Sequence, residues 1–124
     1  MAGSRFAIER DGQVKRALES ERAKLAPLYR EDPKAFADEP EVGDFLDLLD
    51  LFDIRFARYP YKASVDVGDN DRNLRYADIG KWRVIIKIVP DKNVVKILYL
   101  VGLPISKPSV ADTLKEMKKD RPPP

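Results

Sequence analysis

The sequence predicts an α+β fold: an antiparallel β-meander sheet with an N-terminal helical hairpin packed on one face, closed by a short C-terminal helix. Three observations carry this expectation. Residues 72–102 alternate apolar and polar side chains between turn residues. Residues 12–58 repeat apolar side chains at three- and four-residue spacing. A length of 124 residues with 44% apolar content suits one core. One domain, 1–124, is expected, with residues 120–124 a disordered tail.

Residues 5–9 suggest a short edge strand with Phe6 and Ile8 on one side. Asp11 caps a first helix from about Gly12, with Val14, Ala17, Leu18, Leu25 and Leu28 in one stripe. Pro27 interrupts that stripe and predicts a kink or an end near Ala26. Glu21 falls within the stripe, and a seam between two helices accounts for it better than a functional site. Asp32-Pro33 is a cap followed by a first turn, and Glu39-Pro40 is a second break. Val42, Phe45, Leu49, Phe52 and Phe56 then mark an amphipathic helix to about Arg58, which Tyr59-Pro60 closes.

Asp44, Asp47, Asp50 and Asp53 spread over the opposite side of that helix. Carboxylates three residues apart drift around a helix and cannot converge on one ion, so a solvated face is expected and no metal site. Leu51 and Ile54 interrupt this polar side, as a small contact surface or as scatter.

Ala63, Val65 and Val67 alternate like a half-buried strand, and Gly68-Asp69-Asn70-Asp71 is turn chemistry leading into a strand over 72–79. Gly80-Lys81 turns the chain again. Beyond it Trp82, Val84, Ile86 and Ile88 face one way, and Arg83, Ile85 and Lys87 the other. Pro90 to Asn93 makes a third turn. Val95, Ile97, Tyr99 and Val101 then alternate with Val94, Lys96, Leu98 and Leu100. That strand is apolar on both sides, which predicts a central or covered position. Ser109 caps a last helix with Val110, Leu114 and Met117 on one side.

Composition restricts the chemistry. The chain has no cysteine and no histidine, which removes disulfides, thiolate nucleophiles, the Ser-His triad and the commonest transition-metal ligands. Any catalysis runs on Lys, Arg, Tyr, Asp or Glu, and no cofactor is expected. No apolar stretch is long enough to span a bilayer, and the N-terminus lacks a signal-peptide core, so a cytoplasmic protein is expected. The net charge of +2 is unevenly spread: residues 31–60 carry three basic against nine acidic groups, and residues 72–124 carry twelve against five. A basic sheet attracts a polyanion such as RNA or DNA; the alternative is that these cations solvate the outer face of the sheet.

The core Ile79-Gly80-Lys81-Trp82-Arg83-Val84-Ile85-Ile86-Lys87-Ile88, followed by Asn93 through Gly102, resembles the RelE/ParE superfamily of bacterial type II toxins. The motif is a glycine turn, an aromatic, Arg-Val-Ile and a hydrophobic strand, then a second hydrophobic strand ending in glycine. It covers about residues 72–102; the helical hairpin agrees in order and length. The resemblance implies a toxin component held inactive by a cognate antitoxin, acting on ribosome-bound mRNA (RelE-like) or on DNA gyrase (ParE-like). In the RNase branch clustered cations stabilise charge developing on phosphate oxygens.

Carried over onto this chain, Arg83 matches the motif's arginine, with Arg75 and Lys81 as neighbouring candidates for catalysis, and Lys87, Arg72 and Lys96 for contact with RNA or another target. The chain departs from the RNase pattern after Gly102, where Leu103-Pro104-Ile105-Ser106-Lys107-Pro108 follows and no tyrosine lies beyond Tyr99. The proton-transfer residue expected of a ribosome-dependent endonuclease is thus absent, and a catalytically inactive protein-binding module on the same scaffold is the alternative. For Arg83 itself the alternative is an internal pair with Asp78 or Asp91. Trp82 fits a core aromatic better than a base-stacking platform, and Tyr59, Tyr61 and Tyr76 fit packing better than RNA stacking.

Overall fold

The computed structural model describes residues 5–36 and 38–120, Asp120 by its backbone. In chain order it contains β1 (Ala7–Arg10), α1 (Gly12–Glu31), α2 (Pro33–Phe36) and α3 (Pro40–Asp50). A π-helical turn (Leu51–Arg55) and α4 (Phe56–Arg58) continue α3; β2 (Val65–Asp66), β3 (Leu74–Ile79), β4 (Trp82–Val89), β5 (Val94–Gly102) and α5 (Val110–Asp120) follow. The expected tail lies outside the described residues except Asp120, whose backbone closes α5.

The sheet has five strands in the order β1-β5-β4-β3-β2. From β2 to β5 it is the expected antiparallel meander. The edge strand β1 adds a parallel pairing, with Ala7 opposite Val94 and Arg10 opposite Ile97. A parallel neighbour requires a long connection, and here the helical hairpin together with β2, β3 and β4 lies between the two strands.

Asp11 caps α1 as expected, its carboxylate accepting from the Gly12 amide at 3.0 Å. The helix does not end near Ala26. It runs through Pro27 to Glu31, and the Asp32 amide closes it on the Leu28 carbonyl. Pro27 removes the amide that would bond the Ala23 carbonyl, but both residues are exposed, so that carbonyl is open to solvent while Leu25 and Leu28 keep their packing. Asp32 then caps α2 through the amides of Lys34 and Ala35.

Leu51 is a correction. It was expected on the polar side of the second long helix, yet it is 1% exposed beside Phe52 at 0%. The π-helical turn accommodates one extra residue, with the Phe56 amide bonding Leu51 five residues back. That shifts the phase so that Leu48, Leu51, Phe52 and Phe56 all reach the core. Phe52 and Phe56 stack at 6.1 Å. Ile54 remains exposed, as do Asp47, Asp50 and Asp53.

β2 is shorter than the alternation over 63–67 implied, because Ala63 belongs to the turn that bonds back to Tyr59. Gly80 takes φ 55 in the tight β3–β4 turn, a left-handed value that glycine adopts without strain.

β5 departs from simple alternation. Ile85 pairs with Tyr99 but Ile86 with Ile97, leaving Leu98 as a bulge. Val95 and Ile97 therefore face the helical hairpin, as does Leu100. Tyr99 and Val101, expected with the first pair, turn with Leu98 to the opposite face, where α5 lies. Helices cover both faces of the sheet, which is why β4 is buried along most of its length. Among the described residues no helix is long and apolar enough to cross a membrane.

Candidate functional site

Alternation along β4 directs Arg83 away from the hairpin core, toward α5. Its guanidinium does not project into solvent. Arg83 is 4% exposed, and its Nε and one terminal nitrogen donate to the two carboxylate oxygens of Asp78 at 2.7 and 3.0 Å. The other terminal nitrogen donates to the Pro108 carbonyl at 2.7 Å and the Thr113 hydroxyl at 3.0 Å. The Tyr76 ring centre lies 5.6 Å away. The hydrogen bond to Asp78 raises the Arg83 pKa above its ordinary value, outweighing the opposing effect of burial.

Of the two internal pairs weighed for Arg83, the one with Asp78 is formed and not the one with Asp91. The physical reason is that Asp78 sits directly across the β3–β4 ladder from Arg83. A charge covered by a helix needs such a partner.

The other candidates divide between regions. Arg75 is opposite Ile86 and so belongs to the hairpin side of the sheet. Its Nε donates to the Ser64 hydroxyl at 2.7 Å, another nitrogen to the Ser64 carbonyl at 2.9 Å, and its guanidinium stacks on Tyr61 at 5.3 Å. It pins the segment before β2 to the sheet. Lys81 leaves the β3–β4 turn toward α1, where its ammonium is 3.3 Å from the buried carboxylate of Glu21 and 5.5 Å from the Trp82 ring centre. Glu21 occupies the seam foreseen for it and lines, with Lys24, Glu39, Glu41 and Lys81 and with Leu25 and Leu28, an open cleft of about 450 Å³. Trp82 is core, 7% exposed.

Lys87 pairs with Asp71. Lys96 stands opposite Lys87 in the β4–β5 ladder, on the face that carries Arg83. Arg72 and Lys96 are exposed and form no ion pair among the described residues. The sheet thus gathers Arg83, Lys87 and Lys96 on one side and sends Arg75 and Lys81 to the other. In this arrangement the one arginine matching the toxin motif is closed to a phosphate by α5. Thr113 and the Pro108 carbonyl, which close it, carried no recognisable signal in the sequence. No group of three or more carboxylates among the described residues is placed to hold a metal.

No protein-family model matches the chain, and no curated protein matches it. Among solved structures it is similar to a chain of the toxin–antitoxin complex RelBE2 from Mycobacterium tuberculosis, with a TM-score of 0.54 over 80% of this chain and 92% of that one. The likeness is one of fold. At 14% identity it says nothing of residue roles; it shows an α+β fold, helices on a five-stranded sheet, consistent with a RelE-like one.

Proposed function

We propose that this chain is the toxin component of a toxin–antitoxin pair, acting in the cytoplasm and held by a cognate antitoxin. The supporting observation is the RelE-like layering combined with a motif arginine at the centre of the sheet, facing the C-terminal helix. The target reading is either ribosome-bound mRNA or DNA gyrase. Closure of Arg83 by Thr113 and Pro108, and the lack of a tyrosine after Tyr99, favour a target that is bound rather than cut while α5 is docked.

Expression from an inducible promoter in a bacterium tests this. Growth arrest relieved by co-expressing the antitoxin supports it; normal growth with abundant folded protein removes it. Cleavage of ribosome-bound message and inhibition of gyrase supercoiling in vitro then separate the two targets. A second reading, a catalytically inactive protein-binding module, is favoured by the internal pairing of Arg83, Lys81 and Lys87, and silence in all three assays selects it.

A further inference from the structure

The open cleft at Glu21 is lined from α1, the start of α3 and the β3–β4 turn, and shares no residue with the surroundings of Arg83. Its volume of about 450 Å³ falls within the range of small-ligand sites. Glu21 is 4% exposed, and a buried carboxylate needs partners. It has two ion pairs, with Lys81 at 3.3 Å and with Lys24 at 4.0 Å. No hydrogen bond reaches it among the described residues, although a carboxylate offers about four acceptor positions. The Lys81 ammonium also stands 5.5 Å from the Trp82 ring centre. A carboxylate and an aromatic ring thus already hold one primary ammonium, on a side chain that is 41% exposed.

Glu39, half-buried, and Glu41, exposed, add two carboxylates that form no ion pair among the described residues. Three carboxylates against two ammoniums leave the cleft one negative charge in surplus. No three carboxylates among the described residues are placed to hold a metal, so this surplus does not converge on a point charge. Leu25 and Leu28 also line the cleft, four and seven residues after Glu21 and so on the same face of α1. Separated carboxylates beside aliphatic surface match a ligand whose cationic charges are separated by methylenes. We propose that the cleft binds a linear aliphatic polyamine. One ammonium pairs with Glu39 and Glu41, the methylenes lie along Leu25 and Leu28, and a second ammonium replaces that of Lys81 at Glu21. Glu21 is then paired in the free and in the bound chain, and Lys81 turns to solvent on its flexible stem. Polyamine binding here does not depend on toxin activity.

Calorimetric titration of the full chain with spermidine at low salt tests the site. Spermidine is expected to bind about tenfold or more tighter than Mg²⁺, because a compact hydrated ion cannot follow separated carboxylates. No spermidine binding, or equal affinities, overturns the proposal. Glu41→Gln is expected to weaken spermidine about threefold or more, and Asp50→Asn, which removes the same charge from an exposed position of α3, to leave it unchanged. Equal losses reduce the effect to net charge and overturn the site. Leu28→Ser is expected to weaken spermidine about threefold, and unchanged affinity overturns the choice of a polyamine over any small cation.

Lys81→Gln removes the tethered competitor. It is expected to strengthen spermidine about threefold or more, whereas Lys118→Gln on α5 is not. Unchanged or weaker binding, or an equal gain from Lys118→Gln, overturns the displacement of Lys81. Should Lys81→Gln lower the melting temperature by leaving Glu21 unpaired, spermidine is expected to restore it, and failure to restore it overturns the proposal.

Discussion

On the hairpin side of the sheet Val84, Ile86, Ile88, Val95 and Ile97 meet Val14, Leu48, Phe52 and Phe56, all of them fully buried or nearly so; on the other side Ile85 and Tyr99 meet Leu114 and Met117, with a rim of partly buried apolar residues that includes Leu74, Tyr76 and Val110, beside the partly buried Arg83–Asp78 pair. The first face is closed mainly by apolar surface, with Gln13 bonding the Leu100 backbone and Lys81 pairing with Glu21 at its margins. The second is closed by a few apolar residues and a directional set of hydrogen bonds. Apolar burial is non-directional and grows with area, whereas a hydrogen-bonded clasp is lost as a unit when one partner moves. The difference predicts that substitutions in the two faces cost different amounts.

The sharpest way to break that comparison is to cut equally into both faces. Phe52→Ala is expected to cost about 3–5 kcal/mol in urea unfolding, because a fully buried ring that stacks on Phe56 leaves a cavity. Met117→Ala on the α5 face is expected to cost roughly half that or less, since α5 can adjust or release. Equal losses would make the two faces equivalent.

Arg83→Met comes next. It leaves Asp78 without its partner, and a loss of about 2–4 kcal/mol is expected, less than for a wholly buried pair because the Asp78 side chain is 27% exposed. The raised Arg83 pKa means that this contribution is complete below the arginine's ordinary value and is lost only as pH climbs beyond it, so the cost should be flat from pH 5 to 9 (within about 0.5 kcal/mol). A steep change in that window, followed by thermal melting, would mean that another group controls the clasp.

Gly80→Ala probes the turn that sets the β3–β4 register. It places a Cβ at φ 55, about 2.6 Å from an Asp44 carboxylate oxygen that must then move, and a loss of about 1–3 kcal/mol is expected by the same unfolding measurement. Smallest in stability are Arg72→Ala and Lys96→Ala, expected within about 0.5 kcal/mol of the native chain. If either residue contacts RNA, its loss lowers the salt slope of binding by about one unit, and an unchanged slope removes that residue from the interface.

Much of this architecture was legible in the chain. The hairpin turn at Gly80, the Asp11, Asp32 and Ser109 caps, and the stripe of α5 are local signals, decided by backbone preference and by periods of two and 3.6 residues. Errors arose where a long-range contact altered a local phase. The π-helical turn brings Leu51 inward and the Leu98 bulge turns Tyr99 outward, and neither shift has a signature in composition or spacing.

For the candidate site, the sequence by itself determined that a cationic strand residue would stand beside Trp82 with Asp78 within reach, and that the chemistry would do without histidine and cysteine. Tertiary structure alone decided that α5 would fold back over it and that Pro108 and Thr113 would take its remaining donors. Those partners lie 25 and 30 residues away, and no local preference encodes such a distance; only the burial of Leu114 and Met117 against Ile85 and Tyr99 brings them there.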